Sequence, residues 1–196
     1  MTRPLAIRAA TAADVQTILG LIHGIAEYER LSHEVEATEA LLHRHGFGSR
    51  PVFEALIAER LEVEEGSDVA QRPEAVPKDS AGRSRRDGAR AVGFALYFFT
   101  FSTFKARPTL YLEDLFVLPT ERRHGVGRRL LAELARIAVE RECGRMEWSV
   151  LDWNTPARDL YFKLGAKAMD AWTVFRMTPE AFTRLARDGM PGATPA

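Results

Sequence analysis

A chain of 196 residues, 46% apolar and 28% charged, is long enough to bury one substantial core and has the balance of an ordinary soluble domain. Lysine plus arginine equals aspartate plus glutamate at 27 each, which argues against the basic excess of a general nucleic-acid binder. The single cysteine, Cys143, excludes an internal disulfide framework, and no apolar run approaches the 18 residues of a membrane-spanning helix.

Met1-Thr2-Arg3-Pro4 leads straight into structure and is not expected to be a signal peptide. Leu5 to Arg8 reads as a short first strand. Thr11-Ala12-Ala13-Asp14 has the form of a capping box. It opens a helix with Val15, Ile18, Leu19, Ile22 and Ile25 on one face, ending near Tyr28-Glu29-Arg30. Thr38 is placed to cap a second short helix through Leu41 and Leu42, with Gly46-Phe47-Gly48 as a loop. Val52 to Glu59 is a second strand. Residues 61–90 then change character, from acidic at Glu62, Glu64, Glu65 and Asp68 to basic at Arg83, Arg85 and Arg86. Such a composition buries too little apolar area to offset chain entropy, so the segment is expected to be a flexible insert between strands. A passive connector is favoured over a lid.

Ala91 to Phe101 is apolar on both faces and is therefore expected to be central. Lys105 to Pro108 turns the chain into the next strand, Leu110 to Leu118, closed by Pro119. Val126, Leu130, Leu131, Leu134, Ile137 and Ala138 then recur at helical spacing, with Gly144 as the expected stop. Arg145 to Val150 alternates as a strand. Asn154-Thr155-Pro156 starts a helix lined by Ala157, Leu160, Tyr161 and Leu164 and ended by Gly165. Trp172 to Met177 is expected to be a last strand, and Thr178-Pro179-Glu180 opens a helix through Leu185. The reading is one domain over residues 1–188 and a loose tail over 189–196.

The turn between Pro119 and the long helix has the chemistry of an anion site. The first turn of a helix holds amide protons without helical acceptors, and the helix dipole adds positive charge there. Gly125 and Gly127 let backbone approach a ligand, and four arginines with His124 crowd into residues 122–129. Phosphate is the expected guest. A kinase-type P-loop would need Lys-Ser or Lys-Thr where Arg128-Arg129 stands, and a dinucleotide fingerprint would need a small residue at Leu130.

Arg122-x-x-Gly125-x-Gly127 after an acidic strand resembles the acetyl-CoA motif of the GNAT superfamily of N-acetyltransferases. The resemblance runs along nearly the whole chain, through Ile7 to Asp14 at the front and Leu151-Asp152-Trp153-Asn154, Asp159-Leu160-Tyr161 and Leu164-Gly165-Ala166 at the back. Within the superfamily the likeness is to the diamine (spermidine/spermine) branch. It is carried by Ala26-Glu27-Tyr28-Glu29, Gly46-Phe47-Gly48, Val92 to Thr100 and Tyr111-Leu112-Glu113-Asp114. The insert is longer than in the family. The implied fold is α/β (α+β): a mixed, mostly antiparallel sheet of about six to seven strands, flanked by helices on both faces. The implied setting is a cytoplasmic homodimer acting on a small-molecule amine with acetyl-CoA as co-substrate, without metal, nucleic acid or membrane.

Acetyl transfer to an amine needs a neutral nucleophile, although an alkyl ammonium titrates near ~10.4. It also needs a donor for the carbonyl oxyanion, a proton for the leaving thiolate, and reactants held in attack geometry. By resemblance, Tyr161 is the general acid and Glu113 binds the ammonium or relays its proton through water. Asp114 is left to support the loop or an adjacent strand. The resemblance gives Leu115, Phe116 and Val117 to the acetyl and pantetheine arm, with a backbone amide as oxyanion donor. It gives Arg122, Arg123, His124, Gly125, Val126, Gly127 and Arg128 to the pyrophosphate, and Asn154 to the pantetheine. Tyr28, Glu29, Glu147, Trp148 and Ser149 are the implied amine-pocket positions. The remaining histidines, His23, His33, His43 and His45, show no metal-ligand spacing. The leading reading is acetylation of a small cationic amine. The alternatives are an amino acid or protein amine as acceptor, or a non-catalytic acyl-CoA-binding sensor.

Overall fold

The computed structural model describes residues 4–61 and 88–188. They fall into two compact units, one running to Leu151 and one starting at Asp152.

In the first unit, β1 (Leu5–Ala9), β2 (Glu54–Leu61), β3 (Ala89–Ser102), β4 (Arg107–Val117) and β5 (Arg145–Trp148) form one sheet in chain order. Every pairing is antiparallel except the parallel pair β4–β5. Helix α1 (Val15–Glu29) and α2 (Glu39–Phe47) supply Val15, Ile18, Leu21 and Leu42 to a core completed by Ala55, Ile57, Phe94, Leu96 and Phe116. Those strand residues share a face because they are register partners: Ala55 lies beside Leu96, and Ile57 beside Phe94 beside Phe116. Alternation sends Leu56, Ala58, Ala95, Leu110 and Leu112 to the other face, where they are buried. Helix α3 (Val126–Glu140) packs its apolar stripe there, with Leu130 and Leu134 fully buried.

The local signals explain the helix starts. Thr11 and Asp14 form both halves of the capping box around a single 3-10 turn ahead of α1. Thr38 Oγ1 accepts from the Leu41 amide at 3.2 Å to cap α2. The front of the sheet is locked by Arg8, which donates to Asp14 at 2.7 Å and to Glu59 at 2.6 Å, joining β1, the capping turn and β2.

Several boundaries move. Gly46 and Phe47 continue α2 instead of forming a loop, and Phe47 meets Phe53 edge to face at 6.3 Å. The second strand starts at Glu54, two residues later than its pattern, and ends at Leu61. Gly144 is not the stop of α3: Glu142 takes the left-handed turn at φ 52°, while Gly144 lies against Lys105 and Arg107 and donates to the Pro108 carbonyl. The fifth strand ends at Trp148, short of Val150.

In the second unit, Asn154 Oδ1 accepts from the Ala157 amide to cap α4 (Thr155–Lys163). Gly165 follows at φ +90°. Helix α5 spans Pro179–Asp188. The strand expected at Trp172–Met177 is corrected: among the described residues the sheet has five strands, not six or seven, and this segment joins no ladder. Trp172, Val174 and Phe175 are 72%, 83% and 92% exposed. Alternation makes a segment suitable for a sheet, but a strand exists only where a neighbour takes its backbone donors and acceptors. Residues 62–87 of the expected insert and the tail 189–196 lie outside the described residues.

Candidate functional site

Strand β4 and the turn after it position most of the expected residues. The β3–β4 register pairs Leu96 with Asp114 but Tyr97 with Leu112, so Glu113 is an extra residue bulged out of the ladder. The bulge resets the alternation. Tyr111 and Asp114 both lie on the α1 face, while Leu112 and Leu115 both lie on the α3 face. Glu113 is exposed between them. The parallel ladder with β5 stops beside it, at Leu112 opposite Trp148. Beyond that point Leu115, Phe116 and Val117 pair with β3 on one side only, with no strand among the described residues on the other.

The turn completes this edge. Pro119–Glu121 form a 3-10 turn, Arg123 takes a left-handed conformation at φ 65°, and Gly125 follows at φ 78° as the N-cap of α3. No side chain caps the helix. Its first backbone bond runs from the Arg129 amide to the Gly125 carbonyl, so the amides of Val126, Gly127 and Arg128 leave the first turn without a helical acceptor. A Cβ built on Gly125 meets nothing within 4 Å. Arg123, His124 and Arg128 are exposed around it. A bare helix start, a glycine opening and exposed cations fit a phosphate-bearing ligand.

The other basic residues of the turn are engaged with protein. Arg122 Nε donates to the Val117 carbonyl at 3.1 Å, and its guanidinium lies 4.3 Å from the centre of the Tyr28 ring. Arg129 donates to the Leu5 carbonyl at 2.8 Å. Glu121 accepts from Arg60 at 3.0 Å and Arg90 at 3.3 Å. The bond from Arg60 first, and the neighbouring cations after it, hold the Glu121 carboxyl below the usual carboxylate range.

On the α1 face the last turn of α1 brings Tyr28 and Glu29, both half-buried, towards the same region. Burial raises the Glu29 carboxyl. Burial, then the charges of Glu113 and Glu29, push Asp114 up to about 6. Asp114 thus lies close enough to feel both Glu113 and Glu29. Tyr111 stacks at 5.2 Å on Phe98, and its hydroxyl lies 3.2 Å from the Ser149 hydroxyl. Glu147 is opposite Tyr111 in the ladder and pairs with Arg145 at 2.8 Å. Trp148, half-buried, ends β5.

Asn154 and Tyr161 belong to the second unit. Asn154 is buried, with its side-chain oxygen on the start of α4. Tyr161 is half-buried on the same helix. In the sequence Asp114 is left to support the loop or an adjacent strand and Tyr111 is given no role, whereas the structure puts both on the α1 face. A bulge has no clear residue signature, so a period-two reading of β4 separates Tyr111 from Asp114 when the fold unites them. Among the described residues no three His, Cys, Asp or Glu side chains are arranged so that they could hold a metal ion.

Comparison with known proteins adds an independent finding. The model of the acetyltransferase (GNAT) family matches residues 52–166. The chain is 36% identical over 183 residues to the thialysine N-epsilon-acetyltransferase of Bos taurus, covering 92% of this chain and 96% of that protein. It is 33% identical over 183 residues to the human spermidine/spermine N(1)-acetyltransferase-like protein 1, covering 92% of this chain and 23% of that protein. In fold it is similar to an integron cassette protein from V. cholerae, with a TM-score of 0.66 at 20% identity over 93% of this chain and 97% of the other.

Proposed function

Since the chain belongs to the acetyltransferase (GNAT) family, we propose that this N-acetyltransferase moves an acetyl group from acetyl-CoA to a primary amine of a small cationic molecule by direct attack in a ternary complex. Acetyl-CoA supplies the activated thioester. Supporting its place are the bare first turn of α3, the open space at Gly125 and the one-sided edge of β4. Arg123, His124, Gly125, Val126, Gly127 and Arg128 would face the pyrophosphate, with Arg122 at the start of the turn. Leu115, Phe116 and Val117 would offer backbone groups to the extended arm, together with Asn154.

The observation that carries the amine side is Asp114 with two further carboxylates, Glu113 and Glu29, near enough to raise it, Glu29 following Tyr28 at the end of α1. A cation is drawn by the charges, while the Tyr28 ring carries the Arg122 guanidinium. Tyr111, Glu147, Trp148 and Ser149 would complete the wall. Glu113, exposed on the bulge, takes the ammonium proton directly or through water. The neutral amine attacks the carbonyl carbon, the C–S bond breaks as Tyr161 donates its proton to the departing sulfur, and the proton shed by the acylated nitrogen restores the Tyr161 hydroxyl through water. The relative named for thialysine favours, as a second reading, an amino acid carrying a side-chain amine. A homodimer is part of the proposal and is checked by light scattering.

The test is thiol release from acetyl-CoA against spermidine, thialysine, ornithine, lysine and a peptide amine. Turnover with a small diamine or diamino acid, exceeding that with the peptide, is expected. Tyr161→Phe should lower kcat by roughly 10²–10⁴-fold with acetyl-CoA affinity retained. Glu113→Gln should lower kcat or raise the amine KM at neutral pH, with a deficit that shrinks as pH approaches the amine's own pKa. Tight acetyl-CoA binding without turnover on any amine would instead favour an acyl-CoA sensor, and parental kinetics in Tyr161→Phe would remove the acid role.

A further inference from the structure

We propose that Arg122 is a positioning residue for the amine wall, a strut that holds the last turn of α1 against the cofactor turn through Tyr28, with its larger effect on amine binding and its smaller one on phosphate binding. The proposal deepens the acetyltransferase reading and rests on it for the identity of that wall.

The contacts of Arg122 point inward. Its Nε donates to Val117 O at 3.1 Å, tying the turn to the end of β4. The guanidinium carbon lies 4.3 Å from the Tyr28 ring centre and 5.7 Å from that of Phe116. Phe116 is itself seated on α1: a Cβ at Gly24 would come within 2.7 Å of its ring. One side chain therefore links three elements, the turn, β4 and the C-terminal end of α1. A guanidinium suits this work because it is flat, weakly hydrated and able to stack on a ring while an in-plane N–H donates. Lysine has the charge but neither the plane nor the fork. Arg123 and Arg128, in the same stretch, are exposed and are the better placed phosphate partners. Glu29 follows Tyr28 directly, so any loosening of the Tyr28 ring moves a carboxylate of the amine wall as well.

The decisive variant is Arg122→Lys. Amine affinity is read by calorimetry with CoA present as an unreactive partner, and amine KM by steady-state kinetics. Both are expected to weaken about tenfold, the scale of a lost stacking contact plus its hydrogen bond. Acetyl-CoA affinity should fall by less than amine affinity does. Arg123→Ala should do the reverse, weakening acetyl-CoA and sparing the amine. In a Tyr28→Leu background the amine loss caused by Arg122→Lys should shrink, because the stacking partner is gone and only the hydrogen bond to Val117 remains to be lost. An Arg122→Lys protein that loses acetyl-CoA affinity tenfold with amine binding unchanged overturns the strut, as do amine losses that add in full in the double variant. The same four proteins give a melting-temperature cycle without any ligand. Should the parent acetylate no amine, the acetyltransferase reading fails, and the melting cycle still decides the strut: coupling supports it and additivity overturns it.

Discussion

Asp114 shows how much one residue of backbone can change. The bulge at Glu113 turns Asp114 onto the α1 face, where burial first, and then the charges of Glu113 and Glu29, push its carboxyl from 3.8 up to about 6. The unfolded chain keeps the ordinary value, so ionisation of Asp114 disfavours the folded state. That destabilisation is complete above about pH 6, shrinks as pH falls from 6 towards 3.8, and is absent below. Asp114→Asn should therefore melt higher than the parent at pH 8, by roughly 2–4 °C for each kcal/mol of penalty removed in a chain of this size. The advantage should fade as the pH is lowered through that window. Melting curves at pH 8 and pH 4.5 check it, and an equal gap at both would mean that the carboxyl is not perturbed. If Asp114 also attracts the ammonium, the stabilised variant should bind amine more weakly, the trade expected where a site stores strain for its ligand.

At the scale of elements, α3 does two separable jobs. Its apolar stripe closes one face of the sheet, and its uncapped start faces the turn. Leu134→Ala removes a fully buried side chain and should cost about 2–5 kcal/mol, lowering the melting temperature of the protein alone. It should leave the rise in melting temperature caused by acetyl-CoA largely intact, because that rise depends on binding to the folded state. Gly125→Val should behave in the opposite way. It forces a β-branched residue to φ 78° and fills the opening that the backbone leaves, so the rise caused by acetyl-CoA should disappear. Thermal melts with and without acetyl-CoA separate the two variants, and a full ligand shift in Gly125→Val would sink the phosphate-turn reading. The β4–β5 pair is the other element with a function of its own. Its ladder ends at Leu112 and Trp148, beside the bulge, and so creates the one-sided edge from Leu115 to Val117.

For the whole molecule, the strand ends around the insert are informative. Leu61 and Ala89 are register partners, so the chain leaves β2 and re-enters β3 at adjacent points. Replacing residues 64–86 by a short Asn-Gly turn is geometrically compatible with that pairing, and loop length alters closure entropy only slowly. The shortened protein should melt within a few degrees of the parent and turn over at a parental rate. A tenfold loss of turnover with the fold intact would assign the insert a part in catalysis. The helix starts at Thr11, Thr38 and Asn154, the stripe of α3 and the glycine turn that opens it were legible in the chain because each depends on residues within a turn or two of one another. The bulge at Glu113, the desolvation of Asp114 and the placing of Arg122 on Tyr28 were not, since each needs partners from α1, β3 and β4 brought together across long stretches of chain. The same limit applies to Trp172–Met177, whose alternation announced a strand that joins no ladder among the described residues. Periodicity records which faces a segment can bury. Whether it pairs, where a ladder slips by one residue, and which carboxylate loses its water depend on neighbours that only folding supplies.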